Sequence, residues 1–260
     1  MVGIVKRLVK YRELLWNLTL REIKARYKQS VLGYFWIILN PLLQMIVMSF
    51  VFSKLLRVGN LGIPYPVFLY AGLLPWTFFV NSVTSSLNSL VNNASLLKKI
   101  YFPREVFILA SVLAKLIDFA LASTVFMALL LFYRVKISSL VVFLPFILFC
   151  QVMFSVGLGL VLAAFNLFYR DIQYLMRLVF TIWFYLTPVI YPVEMMPAKV
   201  RWVFKINPMS VLINGYRRCL FGGGRLNFVS LGLAFLTSFV TFQLAYWMFK
   251  KLEGFFADVA

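Results

Sequence analysis

Six apolar stretches, at residues 32–52, 67–91, 106–132, 140–168, 174–190 and 228–249, set the terms for this 260-residue chain. A helix needs about 20 mostly apolar residues to cross the hydrocarbon core of a bilayer. Within that core every backbone N–H and C=O must be satisfied by the segment itself, which favours helices. The fifth stretch is the shortest, and the second is diluted by Thr77, Asn81, Ser82, Thr84, Ser85 and Asn88. With 63% hydrophobic residues and a mean hydropathy of +0.90, the chain reads as an integral membrane protein. The expected fold is all-α, one domain over 1–260, with six transmembrane helices: spans one to five in 32–190 and the sixth at 228–249.

Residues 1–31 interleave Lys6, Arg7, Lys10, Arg12, Arg21, Lys24, Arg26 and Lys28 with Leu8, Leu15, Trp16, Leu18, Ile23 and Tyr27. This pattern predicts an amphipathic helix at the membrane interface, where lipid phosphates lie. It is too long and too polar for a secretory signal peptide, and no small-residue cleavage site follows. Thr19 and Glu22 have capping-box spacing, which predicts a fresh helix from about Leu20.

Short loops rich in Lys and Arg stay on the cytoplasmic side. With six spans, one side holds the eight bases of 1–31, Lys98, Lys99, Arg104, Arg170, Lys250 and Lys251. The other holds only Lys54, Arg57, Arg134 and Lys136. Both termini are therefore expected in the cytoplasm, with 250–260 as a cytoplasmic tail.

The connection 191–227 breaks this rule, since it carries six bases on the outer side. Its local chemistry predicts structure. Pro197 opens a short helix to Lys205. Asn207-Pro208 reads as an N-cap with proline at the first helical position, and Gly222, Gly223 and Gly224 stop the helix after about Phe221. Val211, Leu212, Gly215, Tyr216 and Cys219 share one face. Two short re-entrant helices forming an exit gate, or a plain interfacial cap, both fit this pattern. On the opposite side, 92–105 predicts another short helix, capped by Asn93 or Ser95 and ended by Pro103. Its apolar residues Leu96, Leu97 and Ile100 fit a soluble partner's groove or an interfacial turn.

Composition excludes several classes. The net charge of +18 would point to nucleic acid in a soluble protein. Here the bases lie between apolar spans, so anionic lipid or an anionic substrate is the expected partner, and nucleic acid is not. The chain has no histidine, which removes His-based triads, haem ligation and most zinc sites. Cys150 and Cys219 make neither a disulfide framework nor metal spacing. Gly222-Gly223-Gly224-Arg225 lacks the Gly-Lys-Ser/Thr ending of a phosphate loop. Among the acids only Asp118 is deep in a span, and Lys115 three residues earlier is placed to neutralise it. Arg170-Asp171, at the end of the fourth span, reads as a structural anchor. Many aromatics, among them Trp76, Tyr101, Tyr133 and Trp247, fit interfacial belts. Tyr34, Phe35, Trp36, Phe180, Trp183, Phe184 and Tyr185 sit in the two spans carrying Pro41 and Pro188. Their rings suit stacking on the apolar faces of sugars.

Read in order, these residues form a known pattern. The run from Leu20 to Gly33, with Trp36 and Asn40-Pro41-Leu42, resembles the opening of the type-2 ABC exporter permeases. The resemblance continues through Lys98-Lys99-Ile100-Tyr101-Phe102-Pro103-Arg104-Glu105, Tyr169-Arg170-Asp171-Ile172, Thr187-Pro188-Val189-Ile190-Tyr191 and Asn207-Pro208-Met209. It is strongest for the subgroup exporting O-antigen, capsule or teichoic acid, and it covers nearly the whole chain.

The resemblance implies a homodimer in the bacterial inner membrane, paired with two copies of a separate ATPase subunit that binds ATP and Mg. This chain would then be a transport subunit without a cofactor of its own. Ser95, Leu96, Leu97, Lys98, Lys99 and Tyr101 would form the helix that docks in the ATPase. The first and fifth spans would line the channel with Tyr34, Trp36, Phe180, Trp183 and Tyr185. Pro197, Trp202, Asn207, Pro208 and Tyr216 would belong to the outer gate. Arg21, Lys24, Arg26 and Lys28 would hold the diphosphate of a polyprenyl-diphosphate-linked glycan. The competing class is an ion-coupled secondary transporter using Lys115 and Asp118. A membrane glycosyltransferase or lipid phosphatase would call for clustered acids or a histidine.

Overall fold

The computed structural model describes residues 10–27, 32–55, 62–99, 102–197, 199, 201–222 and 228–256. Among these residues all regular structure is helical. Helix α1 (Arg12–Tyr27) leads to α2 (Phe35–Ser49), which continues as a wider π-helical turn, Phe50–Leu55. The long α3 (Tyr65–Asn92), the short α4 (Ala94–Lys99) and the long α5 (Glu105–Phe132) follow. A tight turn capped by Ser138 feeds α6 (Leu144–Phe168), then come α7 (Ile172–Tyr185), α8 (Arg201–Ile206), α9 (Pro208–Phe221) and α10 (Phe228–Leu252).

Five helical stretches are long and apolar enough to cross a membrane: Phe35–Ser53, Tyr65–Asn92, Glu105–Phe132, Ser139–Phe168 and Val229–Phe255. The segment expected as the fifth span instead contributes α7, with 14 residues. At 1.5 Å per residue it is about 21 Å long, less than the ~30 Å of a bilayer core. The apolar run continues to Ile190, but Pro188 disfavours helical backbone at Thr187, and the helix ends before it.

The predicted break near Leu20 is absent, because α1 runs unbroken through it. The Thr19 hydroxyl donates back to the Leu15 carbonyl at 2.8 Å, a bond compatible with a continuing helix. The Glu22 carboxylate accepts from the hydroxyls of Ser85 and, at 2.8 Å, Ser111, instead of folding onto Thr19. Leu18, Thr19 and Ile23 are buried where α1 packs on α5, while Trp16, Arg21 and Lys24 face outward.

The centre of the bundle is α3, against which α2, α5, α6, α7 and α9 pack. On α6, two glycines permit close approaches on opposite sides. A Cβ at Gly157 would lie 3.1 Å from the Phe242 backbone of α10, and one at Gly159 only 2.8 Å from Ser86 Cβ of α3. Two buried clusters result. One surrounds Phe79, Phe154 and Ile213; the other, at the α1 and α4 end, surrounds Leu97, Phe107 and Phe249.

That second end is also tied by charge. Lys250 of α10 donates to Glu105 of α5 at 2.8 Å and to Glu253 at 2.7 Å, and the Arg104 guanidinium reaches the Glu253 carbonyl. Glu105 is buried, so its carboxylate depends on this partner.

Candidate functional site

The polar residues that dilute the second apolar stretch are sorted by α3 onto different faces. Ser82, Ser86 and Ser89 point into the bundle and are buried. Thr77, Asn81, Thr84 and Asn88 point toward three cavities. The first cavity, about 480 Å³, lies between α2, α3 and α7, with Gln44, Trp76, Arg177, Phe180 and Tyr185 in its walls. The second, about 710 Å³, lies between α1, α3, α4 and α5, with Arg21, Glu22, Ser85, Ser95 and Lys115. The third, about 490 Å³, is bounded by α2, α3 and α5, with Trp36, Asn40, Pro41, Lys115 and Asp118.

Lys115 Nζ and Asp118 Oδ2 are 3.7 Å apart on one face of α5, the pairing expected from their spacing. Both side chains are largely buried at the cavity wall.

The expected channel aromatics occupy two settings. Tyr34 and Trp36, at the start of α2, are exposed, as is Tyr185 at the end of α7. Phe180 is buried and Trp183 half-buried in a cluster with Phe79 and Phe154. Phe180 stacks on Trp183 with centroids 6.5 Å apart, and Phe79 meets Trp183 edge-on at 5.3 Å. Such a cluster fixes α7 against α3 and α6.

The α7–α9 junction turns on Asn207. Its Oδ1 caps α9 by accepting from Met209 N at 3.1 Å, as expected from the sequence, and also accepts from Trp183 Nε1 at 3.0 Å. Its Nδ2 donates to Thr187 Oγ1 at 3.0 Å and to the Leu186 carbonyl at 3.2 Å. One side chain therefore fastens the end of α7 to the start of α9. Pro208 is half-buried beside it, whereas Pro197 and Trp202 are exposed. The Tyr191 hydroxyl donates to the Tyr185 carbonyl at 2.6 Å, and burial raises its pKa above the ordinary phenol value.

At the other end of α9, Gly222 has φ 78° and ψ −111°, a positive-φ backbone open chiefly to glycine, and its N–H meets the Arg218 carbonyl at 3.1 Å. Leu212, Gly215, Tyr216 and Cys219 are buried and Val211 partly so, giving α9 its expected inner face. The Tyr216 hydroxyl donates to Gln151 Oε1 at 2.7 Å, and Gln151 Nε2 donates to the Pro75 carbonyl at 2.6 Å.

Of the four bases assigned to a diphosphate, Arg21 is exposed, borders the second cavity and donates to Asn93 Oδ1. Lys24 is exposed nearby. Lys28 and Tyr101 lie outside the described residues, as do the side chains of Arg26, Lys98 and Lys99. In α4, Ser95 is exposed and Leu96 half-buried, while Leu97 is buried in the bundle. The Asn93 side chain accepts from Arg21 through Oδ1 and donates to the Ser89 carbonyl through Nδ2 at 2.7 Å.

The sequence reading did not single out Gln44, Gln151 or Arg217. A single polar residue carries no local signal of a partner that is distant in the sequence. For Thr77, Asn81, Thr84 and Asn88 a signal was present, because their spacing selects one helical face.

Comparison with known proteins identifies the family. Residues 13–221 match the family of ABC-2 type transporters. The chain is 36% identical over 249 residues to the O-antigen export system permease protein RfbA of Klebsiella pneumoniae, covering 95% of each chain. It is 34% identical over 220 residues to RfbA of Myxococcus xanthus, covering 84% of each. Identity to the polysialic acid transport protein KpsM of Escherichia coli is 23%, over 91% of this chain and 92% of the relative. A bundle of apolar helices around polar cavities, matched along most of its length, places this chain in the ABC-2 type transporter family.

Proposed function

We propose that this chain is the membrane-spanning subunit of an ATP-driven exporter that moves a lipid-linked, O-antigen-like polysaccharide across the bacterial inner membrane. The observation that carries this reading is 36% identity, over 95% of both chains, to a permease named for O-antigen export. Energy comes from ATP and Mg bound by a separate ATPase subunit, and the permease works as a homodimer with both termini in the cytoplasm. The exposed faces of α2 and α7 leave room for a second copy. In this topology α7 and the turn after it complete a sixth span, and α8 with α9 form the re-entrant outer gate.

The α4 segment docks in the ATPase. Its exposed Ser95 and half-buried Leu96 are available on a helix anchored by Leu97. Arg21, Lys24, Arg26 and Lys28 receive the lipid diphosphate, while the channel aromatics Tyr34, Trp36, Phe180, Trp183 and Tyr185 serve the sugar. Exposure of Arg21 and Lys24 beside a polar cavity supports the first assignment.

Reconstitution tests the reading. Vesicles holding this chain with its ATPase should move a polyprenyl-diphosphate glycan only when ATP is supplied. Ion-driven transport by this chain alone would instead establish the Lys115–Asp118 carrier. Replacing Arg21, Lys24, Arg26 and Lys28 together by Gln should abolish export while the ATPase complex still assembles. Persistent export would refute the diphosphate assignment.

A further inference from the structure

Thr77, Asn81, Thr84 and Asn88 recur along α3 at intervals of four, three and four residues. At 3.6 residues per turn they form one stripe about 16 Å long. Asn81 borders all three cavities, Thr84 and Asn88 join the first to the second, and Thr77 joins the first to the third. The cavities thus share one continuous polar wall. Asn81 and Thr84 are exposed, although α3 is otherwise the most buried of the long helices. An amide presented to lipid is costly, so this face is suited to water or to a polar ligand.

The chemistry of the stripe narrows the ligand. It consists of two amides and two hydroxyls, with no ionised group. Lys115 and Asp118 oppose one another beside it, and Arg177 lies on the first cavity's other wall. A permeating ion calls for charge or converging carbonyls. Thr77 donates to the Leu74 carbonyl, and Asn88 donates to the Thr84 carbonyl and accepts from Asn166. The Asn81 amide and the Thr84 hydroxyl, which both donate and accept, are therefore the groups that match the hydroxyls of a sugar. Across the first cavity, Phe184 and Tyr185 of α7 offer apolar surface to the other face of a sugar ring. Neutral hydrogen bonds of this kind are individually weak and readily exchanged with water, as a sliding polymer requires.

We propose that this α3 ladder, centred on Asn81 and Thr84, is the track that hydrogen-bonds the glycan hydroxyls during translocation. The proposal rests on the exporter reading above and assigns the sugar contact to α3, a helix to which that reading gives no such role.

The test measures polysaccharide appearing at the surface of cells that lack their own permease and receive this chain with its ATPase. Asn81→Leu combined with Thr84→Val should slow export about tenfold, equivalent to one or two lost hydrogen bonds, at equal levels of assembled complex. Asn81→Ser with Thr84→Ser should restore much of the difference, since it returns hydroxyls to both positions. Wild-type rates in the Leu/Val variant overturn the proposal. Should that variant fail to assemble, Asn81→Cys decides, because Cys150 and Cys219 are buried and leave a low background. A hydrophilic maleimide should label Asn81→Cys more slowly in cells making the glycan than in cells unable to make it. Equal labelling overturns the proposal. If the unaltered chain restores no surface polysaccharide, the exporter reading itself fails, and the loss is not ascribed to α3.

Discussion

The Arg217 guanidinium occupies the space that a side chain at Gly72 would need: a Cβ built there would lie 2.5 Å from Nη2. From this position Arg217 donates to the carbonyls of Pro188 at 2.5 Å, Val189 at 2.6 Å and Phe68 at 3.3 Å, and its charge sits 3.6 Å from the Phe68 ring centre. A cation in α9 thereby holds the turn after α7 onto the first turns of α3. Gly72→Ala should displace the guanidinium and lower stability by on the order of 3 kcal/mol, as breaking a buried charged network does. Arg217→Ala should cost a similar amount. The double variant should cost little more than either one, because both remove the same contact. Thermal unfolding of the purified proteins in detergent checks the cycle; additive losses would show that the two residues act separately.

Asn207 can be dissected by chemistry. Asn207→Asp keeps an oxygen to accept from Met209 N and Trp183 Nε1 but removes the donor to Leu186 and Thr187. Asn207→Ala removes both functions. Loss of an N-cap costs about 1 kcal/mol, so Ala should be the less stable of the two by roughly that amount. Equal melting temperatures would contradict the capping role.

Gln151 joins three helices through its two ends. Tyr216→Phe deletes one bond and should cost about 0.5–1.5 kcal/mol, in the range measured for hydrogen bonds within membranes. Gln151→Leu removes both bonds and leaves the Tyr216 hydroxyl buried without its acceptor, which should cost more. Unfolding by a denaturing detergent would rank the variants, and the reverse order would contradict the assignment.

Lys250→Met strands the buried Glu105 carboxylate, so it should be more damaging than Glu105→Gln. Adding Glu105→Gln to Lys250→Met should recover stability, by about 1 kcal/mol or more. Absence of rescue would mean that Lys250 acts mainly through Glu253, its second partner at 2.7 Å.

Legibility in the sequence followed the range of the interactions. Helix α9 could be read residue by residue, because Asn207, Pro208 and Gly222 act on their immediate neighbours. The long apolar runs likewise announced α2, α3, α5, α6 and α10. The end of α7 was misplaced by several residues, because hydropathy persists to Ile190 while Pro188 has already stopped the helix. Thr19 and Glu22 misled for a different reason: Glu22 has partners 63 and 89 residues away that local spacing cannot disclose. Arg217 was counted as one base in an outer loop, since its carbonyl partners become its neighbours only in the folded bundle. The α3 stripe lies between these cases, visible as periodicity but recognisable as a cavity wall only once α2, α5 and α7 were placed around it.

The unequal burial of α3 and α2 has a mechanical consequence. In α3, 78% of the span's most apolar window is enclosed by neighbouring helices, against 17% for α2. Shifting α3 would disturb several packed interfaces at once, whereas α2 meets few neighbours within one copy of the chain. In any rearrangement of the bundle, α3 therefore behaves as the stator. Its row of amides and hydroxyls would then keep its place while the surfaces facing it rearrange.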